Sequence, residues 1–258
     1  MKIATWNINS LTVRLPQVLS WLAANPVDVL CLQELKLSDD KFPLKELQDA
    51  GYHSAVFGQK TYNGVAILSR TPARNIVKNM AGFTDEQSRL IAVTLDTPAG
   101  EVRVINGYFV NGQAPGSEKF EYKMKWLTGL RDWLRTELHQ HPNLVLVGDF
   151  NITVDDRDTY DPEGLRETIH HTTEERQHFL ALLDLGLTDA FRMFEQPEKS
   201  YSWWDYREFA FRRNRGLRID HILVSQALKP KVTSCVIDKS PRKNERPSDH
   251  VPVVVELL

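Results

Sequence analysis

Apolar residues recur along this chain in two rhythms. Between Ser10 and Ala24 they fall at Leu11, Leu15, Val18, Leu19 and Leu22, the three-to-four spacing of an amphipathic helix, which Asn25-Pro26 would end. Phe120, Met124, Leu127, Leu130, Leu134 and Leu138 repeat that spacing and predict a long helix over Phe120–His139. Shorter helices are predicted over Leu44–Ala50, closed by Gly51, and over Glu174–Leu185, closed by Gly186. Elsewhere the runs are short, β-branched and aromatic. They predict strands at Lys2–Asn9, Val27–Gln33, Tyr52–Phe57, Gly64–Ser69, Ile91–Leu95, Val102–Tyr108, Leu144–Val147, Tyr201–Tyr206, Leu217–Val224, Val232–Ile237 and Val251–Leu257.

The stretch Asn143-Leu-Val-Leu-Val-Gly-Asp-Phe-Asn151 is the centre of the pattern. Leu144 to Val147 read as a strand buried on both faces, and Gly148 as a tight turn at its end. Asp149 and Asn151 stand two positions apart, so in extended backbone both side chains project to one side. A carboxylate and an amide displayed there suit a divalent cation or a phosphoryl oxygen; ordinary Gly-Asp-x-Asn turn chemistry is the alternative. The segment Thr153–Gly164 reads as a polar loop.

No low-complexity segment or linker interrupts residues 1–258, which predicts a single domain. Each half offers a strand ending in ligand-type residues, Asn7 with Glu34 and then Asp149 with Asn151, followed by a strand-rich stretch. That repetition predicts a four-layer α/β sandwich: two packed mixed β-sheets flanked by helices.

Composition adds limits rather than identity. The chain is 41% hydrophobic and 26% charged with a net charge of −2, as in an ordinary soluble protein. No apolar run approaches the roughly eighteen residues of a membrane span, and the N-terminal run is too short for a secretory signal. Cys31 sits inside Val29-Leu30-Cys31-Leu32 and reads as a buried thiol, which makes a cytoplasmic protein the default. Distribution of charge matters more than its sum. Arg207, Arg212, Arg213, Arg215 and Arg218 crowd beside Trp203, Trp204 and Tyr206, a basic and aromatic mixture suited to nucleic acid. Lys119, Lys123 and Lys125 form a second basic group, and Lys239, Arg242, Lys243 and Arg246 a third. His221 reads as structural, and His170 and His171 as solvated loop residues.

Five places put small polar or acidic residues where a strand ends: Trp6-Asn7-Ile8-Asn9, Gln33-Glu34, Gly148-Asp149-Phe150-Asn151, Arg218-Ile219-Asp220-His221 and Ser248-Asp249-His250. Buried carboxylates are costly unless paired or metal-bound, and one shared cation would relieve that cost. Oxygen donors without thiolate favour Mg²⁺ or Mn²⁺ over zinc.

These motifs, taken in order, resemble the exonuclease III family of apurinic/apyrimidinic endonucleases, within the endonuclease/exonuclease/phosphatase superfamily that includes DNase I. The resemblance runs from Trp6-Asn7-x-Asn9-Ser10 with Arg14, through Leu32-Gln33-Glu34-x-Lys36, Tyr62-Asn63-Gly64-Val65-Ala66, Asn106-Gly107-Tyr108 with Asn111, and Lys119-Phe120-x-Tyr122-Lys123. It continues through Gly148-Asp149-Phe150-Asn151 and Gly216-Leu217-Arg218-Ile219-Asp220 to Pro247-Ser248-Asp249-His250-x-Pro252. It implies a Mg²⁺ site, with Mn²⁺ as a substitute, built on Glu34 with Asn7, Asp249, Asp149 and Asn151. It further implies that Asp149 handles a proton, that Asn151 orients the nucleophile or the phosphate, and that His250, held by Asp220, faces the phosphate. Tyr108 and Asn111 would touch the same phosphate.

DNA contacts are implied at Tyr62, Asn111, Lys119, Trp203, Arg212, Arg213, Arg215 and Leu217, with Trp203 and Leu217 framing a pocket for an abasic sugar. The implied activity is cleavage of duplex DNA 5′ to abasic sites, leaving a 3′-hydroxyl, with 3′-phosphodiesterase and 3′-to-5′ exonuclease activity of undefined extent. A bacterial-type monomer acting on double-stranded DNA with abasic sites or blocked 3′ ends is implied as well. The alternatives are an exonuclease-dominated relative with weak abasic-site cleavage, the same chemistry on another phosphoester, and a catalytically silent DNA-binding module. The double Trp at 203–204 departs from some family members.

Overall fold

The computed structural model describes residues 1–258. In chain order its elements are β1 (Lys2–Asn7), α1 (Leu11–Ala24), β2 (Val29–Gln33), α2 (Leu44–Asp49), β3 (His53–Phe57), β4 (Val65–Ser69), β5 (Arg74–Lys78), β6 (Leu90–Thr97) and β7 (Gly100–Tyr108). The second half comprises α3 (Glu118–Gln140), β8 (Leu144–Asp149), α4 (Thr173–Leu183), β9 (Leu187–Asp189), β10 (Trp203–Trp204), β11 (Gly216–Leu217), β12 (Asp220–Ser225), β13 (Val232–Ile237) and β14 (Val253–Leu257).

Two six-stranded mixed sheets face each other, in the orders β13-β14-β1-β2-β4-β3 and β5-β6-β7-β8-β12-β9. At the middle of each lies a parallel pair, β1 with β2 and β7 with β8. Alternation assigns the side chains to layers. Ile3, Val29, Val65, Val93, Val104, Val145, Val147 and Ile222 meet between the sheets. Ala4, Leu30, Leu32, Ala66 and Leu68 turn outward under α1 and α2 through Leu11, Val18, Leu22 and Leu47. Leu144 and Leu146 do so under α3 and α4 through Leu127, Leu130, Leu134 and Phe179. Central strands apolar on both faces are why their sequences read as continuous aliphatic runs. The sandwich expected from the sequence is the one observed.

Gly148 does not make a turn; it lies inside β8, paired with Gly107 on β7 and His221 on β12. A Cβ on Gly148 would stand 1.9 Å from the Gly107 carbonyl oxygen, so glycine is required by close backbone approach.

Other differences follow from exposure. β5 is an exposed edge strand whose only apolar residues, Ile76 and Val77, are adjacent, and β9 has three residues, so neither carries a readable apolar alternation. The strand expected over Tyr201–Tyr206 shrinks to Trp203–Trp204, and the one expected over Leu217–Val224 is interrupted at Arg218-Ile219. The first strand stops at Asn7, because Asn9 and Ser10 take φ of 45° and 89°. No helix is long and apolar enough to cross a membrane.

A candidate active site at the strand ends

The C-terminal ends of β1, β2 and β8 open on one edge of the sandwich. Asn7, the last residue of β1, donates one amide hydrogen to Glu34 Oε1 at 2.9 Å and the other to Asp149 Oδ2 at 2.9 Å. Its own Oδ1 accepts from the Asn9 backbone, which fixes the orientation of the amide. Asn7 therefore presents hydrogens to the two carboxylates and turns its oxygen away from them. Glu34 stands just past β2 at φ 52°, a left-handed conformation of the kind concentrated at functional sites.

Residues from the far end of the chain close the rim. Lys36 lies 3.2 Å from Glu34 Oε2 and donates to Asn9 Oδ1 at 2.6 Å. Asn9 donates in turn to Asp249 Oδ1 at 3.1 Å, while Trp203 Nε1 donates to Asp249 Oδ2 at 2.9 Å. Glu34 and Asp249 thus share one edge, linked through Lys36 and Asn9. Ser248 donates to the Asn7 carbonyl at 2.6 Å, stitching the last loop to the first strand.

Donor atoms of Glu34, Asp149 and His250 lie within 4.8 Å of one another. His250 sits between two carboxylates. Burial would lower its pKa, but Asp220, which accepts from Nδ1 at 2.9 Å, and Asp149, 3.6 Å from Nε2, outweigh burial and raise it to about 10. The two carboxylates favour the protonated ring, which donates. The opposite holds for Asp149. Burial, the largest effect, with Asp220 and Glu34 adding, pushes its carboxyl up to about 7 against the pull of His250 and Asn7. Two carboxylates crowded together with only amide donors between them are the environment a hard divalent cation fits, and such a cation would draw the Asp149 pKa down again. Burial, with Glu34 and Asp149 beside the hydroxyl, holds the half-buried Tyr108 phenol well above its ordinary range, so it stays a donor.

Asn151 is not extended; its φ of 51° is left-handed, and its backbone N–H donates to Asp149 Oδ1 at 3.0 Å. The two side chains are neighbours through that turn rather than through strand alternation. Asn151 Nδ2 donates to the Phe109 carbonyl at 3.0 Å, and Asn111 Nδ2 lies 3.5 Å from Asn151 Oδ1.

The residues expected to meet DNA divide into two groups. Tyr62, Asn111 and Lys119 line one cleft of about 630 Å³ with Gln59, Asn63 and Arg89. Arg89 was not singled out by its sequence context; its guanidinium lies over the rings of Tyr108 and Tyr122 at 5.0 and 5.8 Å. On the other side, Trp203 and Leu217 are register partners in the β10–β11 ribbon, and Arg212 and Arg213 are exposed beyond it. Arg215 is partly engaged, with Glu208 at 3.0 Å and with the Tyr160 hydroxyl.

Three assignments are corrected by burial. Lys123 is fully enclosed against Glu175, not part of a basic surface. Arg218 is also enclosed, paired with Asp158 at 2.7 Å and Asp189 at 2.8 Å, so charge patterning misled wherever an acidic partner came from a distant segment. His171 is not solvated but buried against Thr159, and His170 is half-buried, its Nδ1 donating to the Asn151 carbonyl at 2.7 Å. His221 is structural as expected, accepting from Arg218 and donating to the Ile152 carbonyl at 2.8 Å.

With this geometry in view, likeness to known proteins can be stated. The sequence pattern of the Endonuclease/Exonuclease/phosphatase family matches residues 4–250. The exodeoxyribonuclease III of Haemophilus influenzae is 37% identical over the whole of both chains. Among solved structures, the 3′ phosphatase NExo from Neisseria bound to product DNA hairpin is 50% identical with a TM-score of 0.97, covering 100% of this chain and 99% of that one. An AP endonuclease from Archaeoglobus fulgidus is 34% identical with a TM-score of 0.94 over the same shares. Full-length likeness in sequence and in fold, on a molecule whose strand ends gather Glu34, Asp149, Asp220 and His250, leaves one assignment: this chain belongs to the endonuclease/exonuclease/phosphatase family.

Proposed function

We propose that this protein is a DNA-repair hydrolase, dependent on a divalent cation, that cleaves phosphoesters at 3′ ends and at abasic sites of duplex DNA, with 3′-end processing the larger activity. The observation that carries the chemistry is the Asn7-bridged pair of Glu34 and Asp149 facing the His250 imidazolium. Glu34 and Asp149, with Asp249 at the rim, would hold Mg²⁺, or Mn²⁺ in its place. Bound there, the ion would polarise a phosphate oxygen and neutralise developing charge. Asp149 would take the proton of the attacking water as the water oxygen bonds to phosphorus, and the departing 3′ oxygen would take up a proton from solvent. His250 and Tyr108 donate to phosphate oxygens, and the Asn151 and Asn111 amides orient the group as the P–O bond breaks. Tyr62, Lys119, Arg212, Arg213 and Arg215 hold the backbone on either side. The chain works as one catalytic domain, as a monomer, in the cytoplasm.

Two observations favour 3′ ends over abasic sites. The relative at 50% identity is a 3′ phosphatase, whereas the AP endonuclease stands at 34%. Leu217 is only 4% exposed, and the Trp203 indole is tied to Asp249, so the pair offers little free surface to a swung-out sugar. The second reading, abasic-site incision as the principal activity, rests on the same catalytic groups and on the 34% relative.

Duplexes carrying a 3′-phosphate, one internal abasic analogue, or neither, incubated with Mg²⁺ or EDTA, test the proposal. Release of 3′-phosphate faster than nicking at the lesion is expected. Faster nicking would install the second reading, and Mg²⁺-independent binding without cleavage would remove the enzyme altogether.

A further inference from the structure

Lys123 is the most unexpected cation in the molecule. It lies in the second turn of α3 with its side chain 0% exposed. An ammonium has three hydrogens, and each finds an acceptor: the Asn151 carbonyl at 2.7 Å, the Asn111 carbonyl at 3.1 Å, and the Glu175 carboxylate. Those two carbonyls belong to the two residues whose side-chain amides are proposed to meet the phosphate. Glu175 extends the grip, accepting from the His170 backbone at 3.1 Å and from the Thr172 hydroxyl at 2.9 Å, while His170 returns to the Asn151 carbonyl. The aliphatic stem is packed as closely as the head, since a Cβ on Gly112 would stand 2.9 Å from Lys123 Cδ. One buried ammonium therefore joins the loop after β7, the loop after β8 and the start of α4.

A buried ion pair is weak evidence for a stabilising role, because well-packed apolar residues of similar volume often serve as well. Asn151 also needs holding: asparagine tolerates the left-handed backbone it adopts here without being confined to it. We propose that Lys123, neutralised by Glu175, is a positioning residue whose ammonium fixes the Asn111 and Asn151 loops so that both amides meet the reacting phosphate. The inference rests on the proposed phosphoester hydrolysis and deepens it. The carboxylates of the cation seat hang on β2 and β8 and do not touch Lys123; its link to them runs through the Asn151 N–H that donates to Asp149, so ion binding and turnover are measured separately.

The test is the double variant Lys123→Met with Glu175→Gln, which removes both charges and leaves neither unpaired. Circular dichroism checks its fold, Mn²⁺ titration its cation seat, and steady-state kinetics on the 3′-phosphate duplex its turnover. Mn²⁺ affinity should stay within about threefold, while kcat falls by roughly 10²-fold, the scale of a 1 Å misplacement. Amide exchange in residues 109–113 and 150–153 should quicken. In an Asn151→Ala background the same two substitutions should cost little further, because the group they position is gone. A folded double variant with unchanged kcat, or with its full loss retained in the Asn151→Ala background, overturns the proposal. Should the double variant not fold, Lys123→Arg keeps the charge while its planar fork cannot serve the same three acceptors; unchanged kcat there also overturns it. A wild-type protein that binds Mn²⁺ yet cleaves none of the duplexes would instead sink the proposed function.

Discussion

Gln33 on β2 donates its side-chain amide to Asn106 Oδ1 on β7 at 2.7 Å, a polar bridge between the two sheets at the residue before Glu34. Asn106 completes the bridge by donating back to the carbonyls of Leu32 and Ala66 at 2.9 Å. Both residues are fully buried, so the bridge sets the spacing of the sheets where Glu34 and Asp149 must meet. Asn106→Val should remove three buried hydrogen bonds, while Gln33 keeps those to the Thr5 hydroxyl and the Cys31 carbonyl, and destabilise the fold by about 2–4 kcal/mol. Urea unfolding measures this, and a loss below about 1 kcal/mol would show the bridge to be incidental.

The opposed environments of Asp149 and His250 predict a bell-shaped pH profile. With Asp149 raised by burial to about 7, kcat/KM should climb as pH rises through that value in limiting Mg²⁺, and the limb should move to lower pH as Mg²⁺ saturates. Burial acts downward on His250, but Asp220 and Asp149 outweigh it, so the falling limb belongs near 10. The sign for stability is the same: a histidine pKa raised from 6.5 to about 10 stabilises fully below 6.5, and that contribution is lost as pH rises through 10. Asp220→Asn should shift the alkaline limb downward. An unmoved limb would separate Asp220 from the histidine.

If the crowded carboxylates hold a divalent cation, the protein without it should be the less stable form. Mg²⁺ or Mn²⁺ should raise Tm, by mass action on the folded state, and Glu34→Gln should abolish most of that gain. Thermal scans with and without EDTA decide it; equal gains in wild type and variant would place the ion elsewhere.

Gly148→Ala should be among the most damaging single-methyl changes in the chain. The added carbon would overlap the Gly107 carbonyl oxygen at 1.9 Å, and no flexible side chain is available to yield. A loss above about 3 kcal/mol, or failure to fold, is expected. Gly82→Ala, where a Cβ meets nothing within 4 Å, serves as the control for backbone conformation alone.

Arg212 and Arg213 are exposed on the far side of the Trp203–Leu217 ribbon. If each neutralises a DNA phosphate, replacing either by Ala should reduce the slope of log K against log salt by about 1. Filter binding across a salt series measures the slope, and an unchanged slope would take both residues off the DNA path.

The sequence by itself determined the layers and the candidate chemistry. Central strands apolar on both faces, such as Leu144–Val147 and Val29–Leu32, can only be covered on both sides, and it was the repetition of strands ending in ligand-type residues, Asn7 with Glu34 and Asp149 with Asn151, that pointed to a sandwich. Polar residues at the ends of such strands announced a site because uncompensated carboxylates there are costly. The tertiary structure alone decided partners. Lys123 and Arg218 read as surface cations because Glu175, Asp158 and Asp189 lie far away in sequence, and His170 read as solvated because the Asn151 carbonyl does. Gly148 looked like a turn because a close approach to Gly107 leaves no trace in either strand's own pattern. Local spacing fixes which face a side chain takes; only the closure of distant loops fixes what it meets there.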